Sequence, residues 1–160
     1  HLAPLPVERA DFPYRKAGKP FPDRTPVLVQ AIRDGVEAMA GKHNLDATQL
    51  VLGGRSMGGR MSSLAIAAGL PAAGLVMVSY PLHPPKKPEK LRVDHFASIN
   101  VPCLFISGDR DEFGSPEEFD VQLTAVPGPV TVVRVPGKRH DLKDADEVVC
   151  DAVQEWLDRL

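Results

Sequence analysis

This sequence predicts a three-layer α/β/α sandwich built on a mostly parallel sheet, on three observations. Short apolar, β-branched runs alternate along the chain with segments of helical period, the pattern of a parallel sheet carrying helices on both faces. Two of those runs, 74–80 (GLVMVSY) and 102–107 (PCLFIS), are apolar almost without interruption, as strands covered on both faces are. The composition is ordinary for a globular chain: 43% of the 160 residues are hydrophobic and 25% charged. That is enough to bury a core and form one domain over residues 1–160.

Residues 7–12 (VERADF) read as a short first strand. Thr25 and Pro26 then make a helix start, an N-cap followed by proline at the first helical position. Leu28, Ile32, Val36 and Met39 follow at helical spacing, and Gly41 suits a left-handed C-terminal turn. Residues 49–53 (QLVLG) are a short buried strand, and Met57 to Ala68 a helix with Met61, Leu64, Ala65 and Ala68 on one face. After the strand at 74–80, prolines between Pro81 and Pro88 predict an irregular connection to the strand at 102–107. Ser115-Pro116-Glu117-Glu118 is a capping box, opening a helix with Phe119, Leu123 and Val126 inward. Residues 130–135 (VTVVRV) form the last strand. Asp144 to Glu147 start a final helix with Val149, Val153, Trp156 and Leu160 as its apolar stripe. The expected sheet therefore has five parallel strands, with its ligand site at their carboxyl ends.

Charge and cysteine usage narrow the function. A formal net charge of −2 offers no footprint for nucleic acid or an anionic membrane surface. No run approaches the roughly 18 apolar residues of a membrane helix, and no signal-peptide pattern is present. Cys103 and Cys150 read as two buried reduced thiols, which points to the cytoplasm. No Cys/His cluster has metal-ligand spacing, so neither metal nor cofactor is expected.

The stretch 50–64 (LVLGGRSMGGRMSSL) places glycine pairs around Ser56 where a strand gives way to a helix. Gly54 to Gly59 has phosphate-loop spacing, but Arg60 and Met61 stand where lysine and a hydroxyl residue are required. Gly54-Arg55-Ser56-Met57-Gly58 fits G-x-S-x-G, the turn that lifts a nucleophilic serine above a sheet and aims the next amide, here Met57, at an oxyanion. By itself the pattern fits equally a glycine-rich corner with Ser56 as N-cap. A nucleophile needs a base, and the base an orienting acid. In α/β-hydrolases these follow in the order Ser, Asp/Glu, His. The strand at 102–107 runs into GDRDEFGSPEE, and that at 130–135 into PGKRHD. Asp111 is the favoured acid with Asp109 its rival. His140 is the base, since His1, His43, His83 and His95 lie away from the strand ends where the order requires one.

The segments GGRSMGGR, YPLHPP with KPEKLR, GDRDEFGSPEE and DFPYRKAG resemble the small α/β-hydrolases of the dienelactone-hydrolase-like branch. More narrowly they resemble bacterial relatives of the NSL-complex regulatory subunit three and testis-expressed family. The resemblance implies Ser56 as nucleophile, Asp111 as acid and His140 as base. It also marks two departures. Dienelactone hydrolases proper use a cysteine nucleophile, so their substrate does not transfer. Family members also begin with a strand ending in a histidine-glycine turn that supplies a second oxyanion donor, and HLAPLPVERADF offers neither. The expectation is thus an α/β-hydrolase-like domain lacking its first strands, N-terminally incomplete or rearranged in residues 1–12.

The expected chemistry is hydrolysis of a small carboxylic ester or related acyl compound, weakened by the missing donor. An exposed sheet edge admits a homodimer. Because some larger relatives are scaffold subunits of chromatin complexes, the resemblance also admits a non-catalytic interaction domain.

Overall fold

The computed structural model describes residues 5–160; His1, among the histidines considered above, lies outside them. The sheet has four strands: β1 (Val51–Arg55), β2 (Gly74–Val78), β3 (Cys103–Gly108) and β4 (Val130–Val135). They lie side by side in chain order and every pair is parallel. Parallel crossovers have one hand, so successive steps in one direction along a sheet must pass over the same face. Accordingly α3 (Met57–Ala67), the connection 79–102 and α4 (Pro116–Gln122) all pack on one side, joined there by α2 (Thr25–His43). The other side is covered by α5 (Asp146–Leu157).

The two-residue period of the strands sorts their side chains between these layers. Leu75 and Met77 of β2 align with Cys103 and Phe105 of β3 and meet Val36, Ala65, Ile66, Phe96 and Phe119. Val76, Leu104 and Ile106 point the other way, onto Trp156. All six residues of β3 are buried, as an interior strand between two layers must be. β1 is an edge. Leu50 and Ser56 bond to β2 through Ala73 and Val78, so the intervening odd-numbered residues, Val51, Gly53 and Arg55, turn their peptide groups away from the sheet.

Several expectations need correcting. Residues 7–12 form no strand. They are an irregular, largely exposed segment against α2, where Glu8 pairs with Lys42 and approaches His43 Nε2 at 3.5 Å. Alternation alone cannot make a strand where no apolar face is buried. The segment ends in a single helical turn, α1 (Pro13–Lys16). Thr25 is the first helical residue and Arg24 the cap. At the other end α2 runs through Gly41, and the left-handed residue is Asn44 at φ 53°, a conformation asparagine tolerates. Cys103 is buried, its thiol pushed up to about 12 by desolvation, but Cys150 is exposed on the outer face of α5. Ala68 and Leu160 are also exposed, because each lies just past the end of its helix. The capping box at α4 forms as expected: Glu118 N–H donates to Ser115 Oγ at 3.3 Å and Ser115 N–H to Glu118 Oε2 at 2.7 Å.

Candidate active site

Ser56 occupies the single residue between β1 and α3, with φ 49° and ψ −113°. A non-glycine residue at positive φ stores about 1–3 kcal/mol of strain and persists only where its surroundings enforce it. Here Ser56 N–H is tied to Val78 O at 2.8 Å and Ser56 O to Arg60 N–H at 3.1 Å. The flanking glycines let the strand and helix close on each other. A Cβ on Gly54 would lie 2.5 Å from the Gly58 carbonyl carbon, and one on Gly59 2.7 Å from Gly54 O. Gly58, although part of the five-residue motif, has open space where its side chain would be. Ser56 stands at the N-cap of α3 but caps nothing with its side chain. Met57 N–H is the first of the helix's unsatisfied donors, and no backbone carbonyl among the described residues accepts it.

The Ser56 hydroxyl donates instead to His140 Nε2, at 2.9 Å. On the other side of the ring, His140 Nδ1 lies 2.9 Å from both Asp111 oxygens. A carboxylate only accepts, so the ring proton sits on Nδ1 and Nε2 is free to take one. The Asp111 side chain is 0% exposed and that of His140 17%. Asp111 Oδ1 also accepts the Phe113 N–H at 2.8 Å, which fixes the carboxylate plane. Thus residues 56, 111 and 140, separated by the length of the sheet in sequence, meet at the carboxyl ends of β1, β3 and β4. Asp109, the rival acid, faces elsewhere: its Oδ1 accepts Gly137 N–H at 2.7 Å and so anchors the turn leading to His140.

Sequence reasoning missed the residues that hold this histidine. Arg55 lies beside the nucleophile and reaches across to the backbone carbonyls of His140 and Asp141, the former at 3.3 Å. Phe113 covers the imidazole, with ring centroids 4.0 Å apart at 31°. Gly108 lets the histidine loop settle on the end of β3, since a Cβ there would come within 2.1 Å of Lys138 O. The glycine immediately after an apolar strand and before GDRD's acids was the one visible sign of that close approach. The remaining described histidines have other partners. His83 Nε2 lies 3.3 Å from Glu118 Oε2, His95 Nε2 lies 2.8 Å from Ser63 Oγ, and His43 faces Glu8. Among the described residues no group of three His, Cys, Asp or Glu side chains converges as a metal site requires, and no helix is long and apolar enough to cross a membrane. No described residue pairs with the free edge of β1, so the histidine-glycine turn of the resembling family has no counterpart among them.

A parallel sheet flanked by helices, with a strained serine turn between β1 and its following helix, is the architecture of an α/β-hydrolase. A profile of the alpha/beta hydrolase domain matches residues 3–156, and the chain belongs to the alpha/beta-hydrolase family. Among solved structures it is similar to an alpha-beta serine hydrolase homologue from Coxiella burnetii, at 20% identity and TM-score 0.66, over 86% of this chain and 62% of that one. A cold-adapted esterase from an Arctic intertidal metagenomic library gives 14% identity and TM-score 0.65, over 91% of this chain and 58% of that one. For the monoacylglycerol lipase of Paleococcus ferrophilus the values are 14% and 0.68, over 84% and 75%. Likeness at these identities is likeness of fold. The chain spans less than two thirds of the length of the first two of these proteins.

Proposed function

We propose that this domain is a serine hydrolase of small carboxylic esters or related acyl compounds, with Ser56, His140 and Asp111 as its triad. The observation that carries the reading is the continuous chain of contacts from Ser56 Oγ through His140 to the buried Asp111, each link at 2.9 Å. His140 Nε2 takes the serine proton as Oγ attacks the acyl carbon. Asp111 holds the ring in the Nδ1–H tautomer and stabilises the imidazolium. The Met57 amide faces the tetrahedral oxyanion. Collapse expels the alcohol with the proton from Nε2, leaving an acyl-enzyme, and water repeats the sequence to release the acid. The irregular connection 79–102 borders the strand ends without the bulk of a cap domain, which suits short acyl groups. GGRSMGGR and GDRDEFGSPEE further favour the dienelactone-hydrolase-like branch and the relatives of the NSL-complex subunit within the family.

Incubation with a fluorophosphonate probe and peptide mass mapping tests the reading. Labelling at Ser56, lost in His140→Ala, is expected. A chain that never labels is the non-catalytic interaction domain instead.

A further inference from the structure

His83 is buried in the irregular connection 79–102, and the triad does not use it. Both of its ring nitrogens face oxygens that can only accept. Nδ1 lies 2.7 Å from the carbonyl oxygen of Pro84. Nε2 lies 3.3 Å from each carboxylate oxygen of Glu118, in the first turn of α4. That carboxylate is itself committed as an acceptor, because Oε2 takes the Ser115 N–H at 2.7 Å. A neutral imidazole has one N–H and one lone pair, so here its lone pair would be set against an oxygen. Only the doubly protonated ring satisfies both contacts, and Glu118 then balances its charge. The other charges around the segment are engaged or solvated. On the turn after β3, Asp111 meets His140 and Glu112 meets Arg139. On α4, Glu117 is exposed and Asp120 pairs with Arg134 of β4. On the connection itself, Lys86 and Lys87 are exposed, and Arg92 meets the segment through its backbone N–H, 2.8 Å from Leu82 O.

This histidine lies one step from the triad. His83 N–H donates to Phe113 O at 3.1 Å, Phe113 N–H donates to Asp111 Oδ1 at 2.8 Å, and the Phe113 ring covers His140. Leu82 packs on Gly114, where a Cβ would come within 2.9 Å of Leu82 Cδ1. The connection and the turn that carries the acid are therefore in direct contact, and His83 ties both to α4. We propose that His83 is held as an imidazolium between Pro84 and Glu118, and that this ion pair is a latch positioning Phe113 and, through it, Asp111 and His140. The effect on turnover rests on the serine-hydrolase reading; the charge of the ring does not. His83 touches no reacting atom. Loss of its second proton on the alkaline side sets a lone pair against Pro84 O or the Glu118 carboxylate, one contact opens, and Phe113 is released. His140 must be neutral to accept the serine proton, so its own titration limits activity on the acid side. The two histidines thus act on opposite limbs of the pH profile.

Nuclear magnetic resonance of the whole chain reads the ring directly, with His83→Gln to assign its signals. At about pH 6 the protons on Nδ1 and Nε2 of His83 should both be visible, because burial and hydrogen bonding shield them from the solvent exchange of an exposed imidazolium. A single ring N–H signal, or none, overturns the latch. Kinetics read the consequence, with kcat expressed per serine titrated by fluorophosphonate so that unfolded protein does not count. His83→Leu should lower kcat about tenfold with KM nearly unchanged. His83→Gln, whose NH2 stands where Nε2–H stood and never titrates, should recover part of that loss and lack the wild-type decline at alkaline pH. It also carries the kinetic test if His83→Leu does not fold. A wild-type kcat that stays level at alkaline pH, an alkaline limb that survives in His83→Gln, or wild-type kcat in His83→Leu would overturn the positioning role. Absence of labelling removes the hydrolase reading alone, and the two N–H signals still decide the latch.

Discussion

Asp111→Asn is the most informative single substitution, because the structure dictates which way the new amide must face. Asp111 Oδ1 accepts the Phe113 N–H at 2.8 Å, and only an oxygen can do so. The asparagine oxygen therefore keeps that position and its NH2 replaces Oδ2, 2.9 Å from His140 Nδ1. Nδ1 would then meet a donor as well as an acceptor at 2.9 Å, and the carboxylate charge that holds its proton would be gone. An imidazole that accepts from the new NH2 carries its proton on Nε2, where it points at the Ser56 hydroxyl and cannot accept the serine proton. A wrong tautomer of this kind costs about 10⁴ in kcat, or roughly 5 kcal/mol of transition-state stabilisation. KM should change little, since no substrate contact is removed. The assay is release of p-nitrophenol from a short-chain ester, with the rate of fluorophosphonate labelling as a second reading. Asp109→Asn, whose amide oxygen can still accept the Gly137 N–H, should cost far less. If Asp111→Asn stays within about tenfold of wild type while Asp109→Asn falls further, the acid has been misassigned.

Arg55→Ala should lower kcat about tenfold with KM nearly unchanged, because the histidine loop loses its tether while the pocket is intact; an unchanged kcat would make Arg55 a surface residue. Gly108→Ala should destabilise the domain by about 3 kcal/mol in urea titration, given the contact with Lys138 O. Gly58→Ala, with open space around it, should instead be neutral or gain up to about 1 kcal/mol from helix propensity. Glu118 is held below its ordinary 4.5, chiefly by the Ser115 N–H and then by His83. A depressed carboxylate contributes fully above its unfolded value and loses that contribution as pH falls through the folded one. Glu118→Gln should therefore lower the urea midpoint at neutral pH and leave it unchanged by about pH 2.

Four strands, their order along the chain and the capping box of α4 were legible because each is a local pattern: an apolar run, a helical period, a hydroxyl three residues before a glutamate. Ser56, Asp111 and His140 were legible for a related reason, as each follows its strand directly and parallel strands bring their carboxyl ends together. VERADF was misread because alternation records only that a strand could form, not whether a neighbour exists to take its hydrogen bonds. The left-handed turn falls at Asn44 and not at Gly41, and from there it lets Leu45 N–H bond back to Ala40 O and Leu45 pack on the core. The sequence favoured Asp111 over Asp109, but what each carboxylate touches is a tertiary matter: the turn after β3 sends Asp111 beside His140 and Asp109 toward Gly137. The same holds for the arginines. Arg55 reaches a loop 85 residues away, while Arg60 Nε is buried with no hydrogen-bond partner among the described residues. Charge is written in the sequence, but whether it is neutralised depends on what the fold brings within reach.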